Sequence, residues 1–231
     1  MSETTTIKTQ KPASSNKMLF AMGGIGIISA LLIVMTFELT KPRIEQLKAE
    51  ALEKAIFEVL PGTVRTQAMA ITPEQTLAAP KAGDASETLV YAGFDANEAL
   101  VGYAVEAAGQ GYADIIRILY GYDPASETII GFRVLESKET PGLGDKIEKE
   151  QRFLDNFKAL DVSLDEQGAI RNTVITVKQG EKVNAWEVDG ISGATISSRA
   201  IGDIIGRSSK EIVPVLHGAN EQEVTSQDDK Q

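Results

Sequence analysis

The sequence predicts an α+β domain, a mostly antiparallel sheet with packed helices, preceded by one N-terminal transmembrane helix. Three observations predict it. Met18 to Phe37 is a run of twenty residues without a charge. Residues 89–135 then hold four apolar runs separated by turn residues. Beyond them come a short helix, a further strand and a long helix, and strands followed by helices in this order make an α+β fold.

Residues 1–17 are rich in Ser, Thr and Lys and lack an apolar period, which predicts a disordered cytoplasmic tail. Residues 18–37, at 1.5 Å rise per residue, would form a helix of about 30 Å, the thickness of a bilayer core. A buried core helix rarely lacks every charge for so long. A cleaved signal peptide would show a small-x-small site, whereas Phe37-Glu38-Leu39-Thr40 follows here. Lys8, Lys11 and Lys17 precede the span; Lys41 and Arg43 follow it beside Glu38. This weak bias puts the N-terminus in the cytoplasm and the main domain in the periplasm, with the chain in the cell inner membrane. Gly26 and Ala30 form a small-xxx-small pair that suits helix packing in lipid, although such pairs also arise by chance.

Residues 38–62 read as a linker helix. Ile44, Leu47, Ala51, Ala55, Ile56 and Val59 recur at helical spacing, Pro42 suits a first turn, and Pro61-Gly62 is a stop. Residues 63–217 read as the main domain. Thr72 to Glu87 is polar and predicts a loop. Leu89–Phe94, Leu100–Ala107, Ile115–Tyr122 and Ile129–Leu135 predict strands joined by hairpin turns. Glu150–Ala159 predicts a short helix with Phe153, Leu154 and Phe157 inward, and Thr173–Val177 another strand. Trp186 to Val188 reads as the end of a further strand. Arg199–Leu216 predicts the long helix, with Gly202 and Gly206 permitting close approach. Residues 218–231 are polar and predict a flexible tail.

Composition narrows the chemistry. There is no cysteine, which excludes disulfides, thiolate metal sites and cysteine nucleophiles. His217 is the single histidine, so a multi-histidine metal site is excluded and any Ser-His-Asp triad must use that residue. Net charge is −10; residues 1–37 hold three lysines against one glutamate, so the remainder carries the whole negative excess. An acidic body argues against nucleic acid as partner.

Two stretches stand out. Asp189-Gly190-Ile191-Ser192-Gly193-Ala194-Thr195-Ile196-Ser197-Ser198 lies where a strand becomes a helix. A helix N-terminus offers unpaired N–H groups to an anion such as phosphate, while Ser192 or Thr195 is equally readable as a simple N-cap. Glu139-Thr140-Pro141-Gly142-Leu143-Gly144 describes a tight loop with bared backbone, readable as a site for a flat cofactor or as a plain connection. Gly111-Tyr112 forms a third glycine-bearing turn.

The two stretches together, at this separation, resemble the FMN-binding domain family over roughly residues 90–210. Anchor and linker resemble the branch formed by the G subunits of Rnf (Rsx) electron-transport complexes; the C subunit of the sodium-translocating NADH:quinone reductase is a close relative. The resemblance implies covalent FMN, esterified through its phosphate to Thr195 and donated from FAD by a flavin transferase. It implies that Asp189, Gly193 and Ala194, with Ser192, belong to the sequence that the transferase reads. It implies that Glu139, Thr140, Pro141, Gly142, Leu143 and Gly144 lie beside the flavin ring. It also implies an electron-relay component of a translocase, without an independent catalytic site and without a metal. Its partners would be the A, B, C, D and E subunits of an Rnf complex, with the membrane-embedded, flavin-bearing D subunit in direct contact, together with membrane lipid. A cofactor-free extracytoplasmic binding module and a hydrolase using Ser192 and His217 are the alternatives from other classes.

Overall fold

A five-residue acidic turn sets the first hairpin of the central strands. The Asp95 carboxylate accepts the N–H groups of Asn97 and Ala99 at 2.8 and 2.9 Å, turning the chain between β3 (Thr88–Phe94) and β4 (Leu100–Gln110). Asp123 does the same for β5 (Ile115–Asp123) and β6 (Thr128–Glu136), accepting the Ala125 N–H at 2.9 Å and the Ser126 hydroxyl at 2.6 Å. All four strands expected between residues 89 and 135 are present and antiparallel.

The computed structural model describes residues 15–72, 75–80 and 88–228. It adds three strands that the sequence left unassigned: β1 (Arg65–Ile71), β2 (Leu77–Ala78) and β7 (Leu160–Asp161). The sheet runs β2-β1-β3-β4-β5-β6-β7, antiparallel throughout, and β8 (Ile175–Val177) pairs in parallel with β9 (Glu187–Asp189) as a separate ribbon. The predicted loop Thr72–Glu87 thus contains β2, while residues 73–74 and 81–87 lie outside the described residues. Residues 1–14 of the predicted tail lie outside them too.

The chain divides into two units, Met1–Glu50 and Ala51–Gln231. In the first, the apolar run lies on a helix, α1, whose side chains from Met18 to Phe37 are largely exposed. That helix is long and apolar enough to cross a membrane. Two separate helices were expected here; α1 instead runs from Ser15 to Val59 with Pro42 inside it. Proline forfeits the bond back to the Glu38 carbonyl and its ring crowds that carbonyl, yet α1 continues through it.

In the second unit, the end of α1 buries Ala55, Ile56, Val59 and Leu60 against Ala104 and Leu119 on one face of the sheet. Glycines make the seat. Gly93 pairs with Gly102 and Gly121 with Gly131 across the strands. A Cβ at Gly121 or Gly131 would overlap the Val59 carbonyl oxygen. Gly121→Val should therefore unseat the end of α1 and cost about 2–3 kcal/mol, as overpacking does. Thermal unfolding of the detergent-solubilised chain should show a melting temperature lower by roughly 5–10 °C; an unchanged value would reject the seat.

The opposite face carries the main core. Val90, Ala92, Tyr103, Val105, Ile116, Ile118 and Tyr120 meet Ile201, Ile204, Ile205 and Leu216 of helix α4 (Thr195–Asp228). Phe132 and Phe157 stack beside them, with Phe153 edge-on to both. The predicted short helix at 150–159 is two pieces, α3 (Gln151–Leu154) and a 3₁₀ turn over Asp155–Lys158, and a further short helix, α2 (Lys146–Lys149), precedes it. Gly202 and Gly206 pack on Thr176 and Val174, as their spacing suggested.

Helix α4 departs from expectation at both ends. It begins at Thr195 and not at Arg199, and it continues to Asp228, through residues 218–228 of the predicted flexible tail. The start is extended because Ser197 and Ser198 are buried and bonded, which outweighs their modest helix propensity.

Candidate functional site

The turn after β9 is pinned at both ends before the helix begins. Gly190 N–H donates to the Val177 carbonyl at 3.0 Å, and Ala194 N–H to the Ile191 carbonyl at 3.1 Å. Ser198 Oγ accepts the Ile191 N–H at 3.4 Å and donates to the Thr195 carbonyl at 3.2 Å. Gly193 sits at φ 82, the left-handed region that favours glycine, with nothing within 4 Å of where a Cβ would be.

Because α4 starts at Thr195, the cap position falls on Ala194, which has no side-chain oxygen. Neither Ser192 nor Thr195 is the N-cap. Among the described residues no side-chain acceptor reaches the N–H of Thr195, Ile196 or Ser197. The helix therefore presents open donors and the positive end of its dipole to the space in front of Thr195.

The second loop faces this end. Thr140 to Asp145 forms a turn in which Leu143 N–H donates to the Thr140 carbonyl at 3.1 Å, with Gly142 at φ 77 and open space beside it. A cleft of about 360 Å³ lies between, lined by Tyr112, Glu139, Thr140, Leu143, Gly144, Gly193, Ala194, Thr195, Ile196 and Ser197. Pro141, Gly142, Asp189 and Ser192 belong to the same two stretches but do not line it. A slightly larger hollow of about 390 Å³, between Met69, Leu77, Pro214 and Val215, contains no residue of either stretch.

Glu139 holds the cleft together. Only 6% exposed, it accepts the Ala113 N–H at Oε1 (2.9 Å) and the Ser197 hydroxyl at Oε2 (2.5 Å). One carboxylate thus joins the Gly111–Ala113 turn, the Thr140–Gly144 loop and the first turn of α4. Gly111 and Gly144 are glycine for a related reason: a Cβ at either would come within 2.5 Å of a Glu139 oxygen. The Lys138–Asp114 ion pair at 2.5 Å ties the same two loops at the surface.

The rim is apolar. Tyr112, Leu143 and Ile196 all line the cleft and are more than half exposed. Tyr112, Ile196 and Ser197 were not among the site residues named from sequence; the Gly111-Tyr112 turn was the one signal that pointed to the first of them. His217 lies beside Glu127, at 3.8 Å, and is not among the cleft residues, so a hydrolase built on Ser192 and His217 has no geometric support.

The hydroxyls differ in access. Ser197 is 2% exposed and donates to Glu139; Ser198 is wholly buried and bonded within the turn. Thr195 is exposed and lines the cleft.

Fold and cleft together define an α+β domain of the FMN-binding type. The family described as the FMN-binding domain matches residues 111–209, a span that holds all three cleft-forming segments. Two relatives, each named as the G subunit of an ion-translocating oxidoreductase complex, are similar over most of their length. That of Methanosarcina acetivorans is 32% identical over 192 residues, covering 82% of this chain and 89% of the relative. That of Escherichia coli K12 is 30% identical over 204 residues, covering 87% and 90%. The chain belongs to the family of the G subunits of ion-translocating oxidoreductase complexes. Among solved structures, the C subunit of the Na(+)-translocating NADH-quinone reductase from Parabacteroides distasonis shares the fold with a TM-score of 0.60 at 23% identity, covering 75% of this chain and 96% of its own. Shewanella oneidensis NqrC superposes with a TM-score of 0.51, also at 23% identity, covering 71% and 86%.

Proposed function

We propose that this chain carries FMN covalently at Thr195 and relays electrons through it on the periplasmic side of an Rnf-type ferredoxin:NAD oxidoreductase complex. The observation that carries the reading is the meeting of the two motif loops in one cleft, with Thr195 as its exposed hydroxyl at the start of α4. The cleft fits the group on three counts. Its volume falls in the range of cofactor sites, roughly 300–1,000 Å³. Its apolar rim suits a flat ring. The open N–H groups of α4 suit phosphate oxygens.

The chain's own residues bind and orient. Thr195 Oγ1 would take the FMN phosphoryl group from FAD: the new O–P bond replaces the pyrophosphate bond, AMP leaves, and the hydroxyl proton is released. Gly193 and Ala194 leave space for the phosphate. Tyr112, Leu143 and Ile196 shield the ring's surroundings from water, and Glu139 braces the walls. Bound flavin supplies the redox chemistry. Thr140, Pro141, Gly142, Leu143 and Gly144 are assigned to the ring side; Asp189, Ser192, Gly193 and Ala194 to the attachment side.

The same reading assigns residues 18–37 to a single inner-membrane span with the N-terminus inside, and residues 63–217 to the periplasmic FMN-binding domain. The lysines at 8, 11 and 17 support that orientation. The A, B, C, D and E subunits of the complex are the partners, with the D subunit meeting the flavin-bearing face. The equivalent C-subunit role in a sodium-translocating quinone reductase is the second reading, favoured by the shared fold alone.

Co-expression with a flavin transferase followed by a denaturing gel tests the assignment. A band fluorescing yellow-green under ultraviolet light is expected. A dark band, with full-length protein present, overturns it.

A further inference from the structure

Asp189 heads the attachment motif, yet it faces inward. It is 8% exposed, and both carboxylate oxygens are taken: Arg152 Nη2 donates to Oδ2 at 2.7 Å and the Gly180 N–H to Oδ1 at 2.5 Å. Its backbone is held as well. Buried Asn156 accepts the Asp189 N–H at 3.0 Å and donates to the Asp189 carbonyl at 3.1 Å, and Lys182 Nζ donates to the Asn156 amide oxygen at 3.2 Å. One residue is therefore gripped on its side chain and on both backbone groups, by elements remote in sequence. Three residues further on, the Ser192 N–H donates to Gln179 Oε1 at 3.0 Å, from the same β8–β9 loop that supplies Gly180. An enzyme approaching the folded domain from outside meets Ser192 and Thr195, both exposed, but not the Asp189 carboxylate.

We propose that Arg152 and Asn156 are positioning residues for the attachment at Thr195, and that Asp189 acts through them by fixing the turn from Asp189 to Thr195 and not as a group the transferase touches. The proposal rests on the covalent-FMN reading and deepens it. The physical requirement is geometric: the Thr195 hydroxyl must be presented to a phosphorus atom along one line of approach, and displacement of a reacting atom by an ångström costs orders of magnitude in rate. Asp189 anchors the start of the turn and Ser198 its end, so loosening the Asp189 end lets the hydroxyl wander while α4 stays folded.

The experiment is a double-mutant cycle on the full chain, loaded in vitro with FAD and a flavin transferase, with covalent flavin followed by in-gel fluorescence over time. Arg152 is more than half exposed, so Arg152→Gln leaves the core intact. Arg152→Gln and Asp189→Asn should each slow loading about tenfold, and the double variant should be no slower than either, because coupled residues are non-additive. Arg152→Lys, which keeps the cation, should restore loading to within about threefold of wild type. Hydrogen exchange at the 190–195 amides should quicken in the slow variants while that of the α4 core does not. Direct reading of Asp189 predicts the reverse pattern: Arg152→Gln loads at the wild-type rate, or the double variant multiplies the two defects. Either outcome overturns the proposal. Wild-type protein that takes no flavin under the same conditions signals failure of the covalent-FMN reading itself, and is distinguishable from both.

Discussion

Thr195→Val should abolish covalent flavin and leave the domain folded. Valine keeps the β-branched shape at the first position of α4 and removes only the hydroxyl. Thr195 is exposed and is not the helix cap, so the substitution should change stability by no more than about 0.5 kcal/mol. Neither neighbouring serine can substitute. Ser197 is buried with its hydroxyl committed to Glu139, and Ser198 is buried with its hydroxyl holding the turn. The fluorescent band should fall below detection, and intact mass should match the unmodified chain. Thr195→Ser should keep the modification. Persistent fluorescence in the valine variant, or a flavinylated peptide mapping to Ser192, would remove Thr195 as the attachment point.

Glu139→Ala should be the most damaging single change in the cleft. It leaves the Ala113 N–H and the Ser197 hydroxyl without their acceptor and opens a void where Gly111 and Gly144 pack on the carboxylate. Ser197 is buried, so its orphaned hydroxyl costs roughly 1–3 kcal/mol, and the void adds to that, so a loss of about 3 kcal/mol is expected. For a domain of this size that is a fall of about 6–12 °C in melting temperature. Covalent loading should slow as well, since three walls of the cleft lose their common tie. Glu139→Gln keeps one acceptor and should recover about half of the stability. Thermal unfolding of apo protein separates this from any role of flavin; an apo Glu139→Ala variant as stable as wild type would show that the carboxylate does not brace the cleft.

Much of the sheet was legible because its strands are bounded by Asp, Asn, Pro and Ser turns that do their own local hydrogen bonding. β1 was not, since Arg65-Thr-Gln-Ala-Met-Ala-Ile has a mixed burial pattern and no clean alternation. It is a strand because β3 offers it a full antiparallel register. β7, two residues long, has no periodicity to read. Helix α1 misled in another way: Pro42 looked like a beginning, but the helix runs through it.

The motif loops were visible for a local reason as well. Gly142 and Gly193 adopt positive φ, and the open space beside each leaves backbone bare; glycine in a short polar stretch is the trace of both. By itself the sequence determined the apolar helix, the α+β class and the two loops. The tertiary structure decided how they meet: Glu139 reaching Ala113 and Ser197, 26 and 58 residues away, and Arg152 reaching Asp189 across 37. A turn is written in adjacent residues, because its dihedral preferences are local. A buried carboxylate finds its donors only after the chain has closed loops of that length, and no neighbouring residue records the choice.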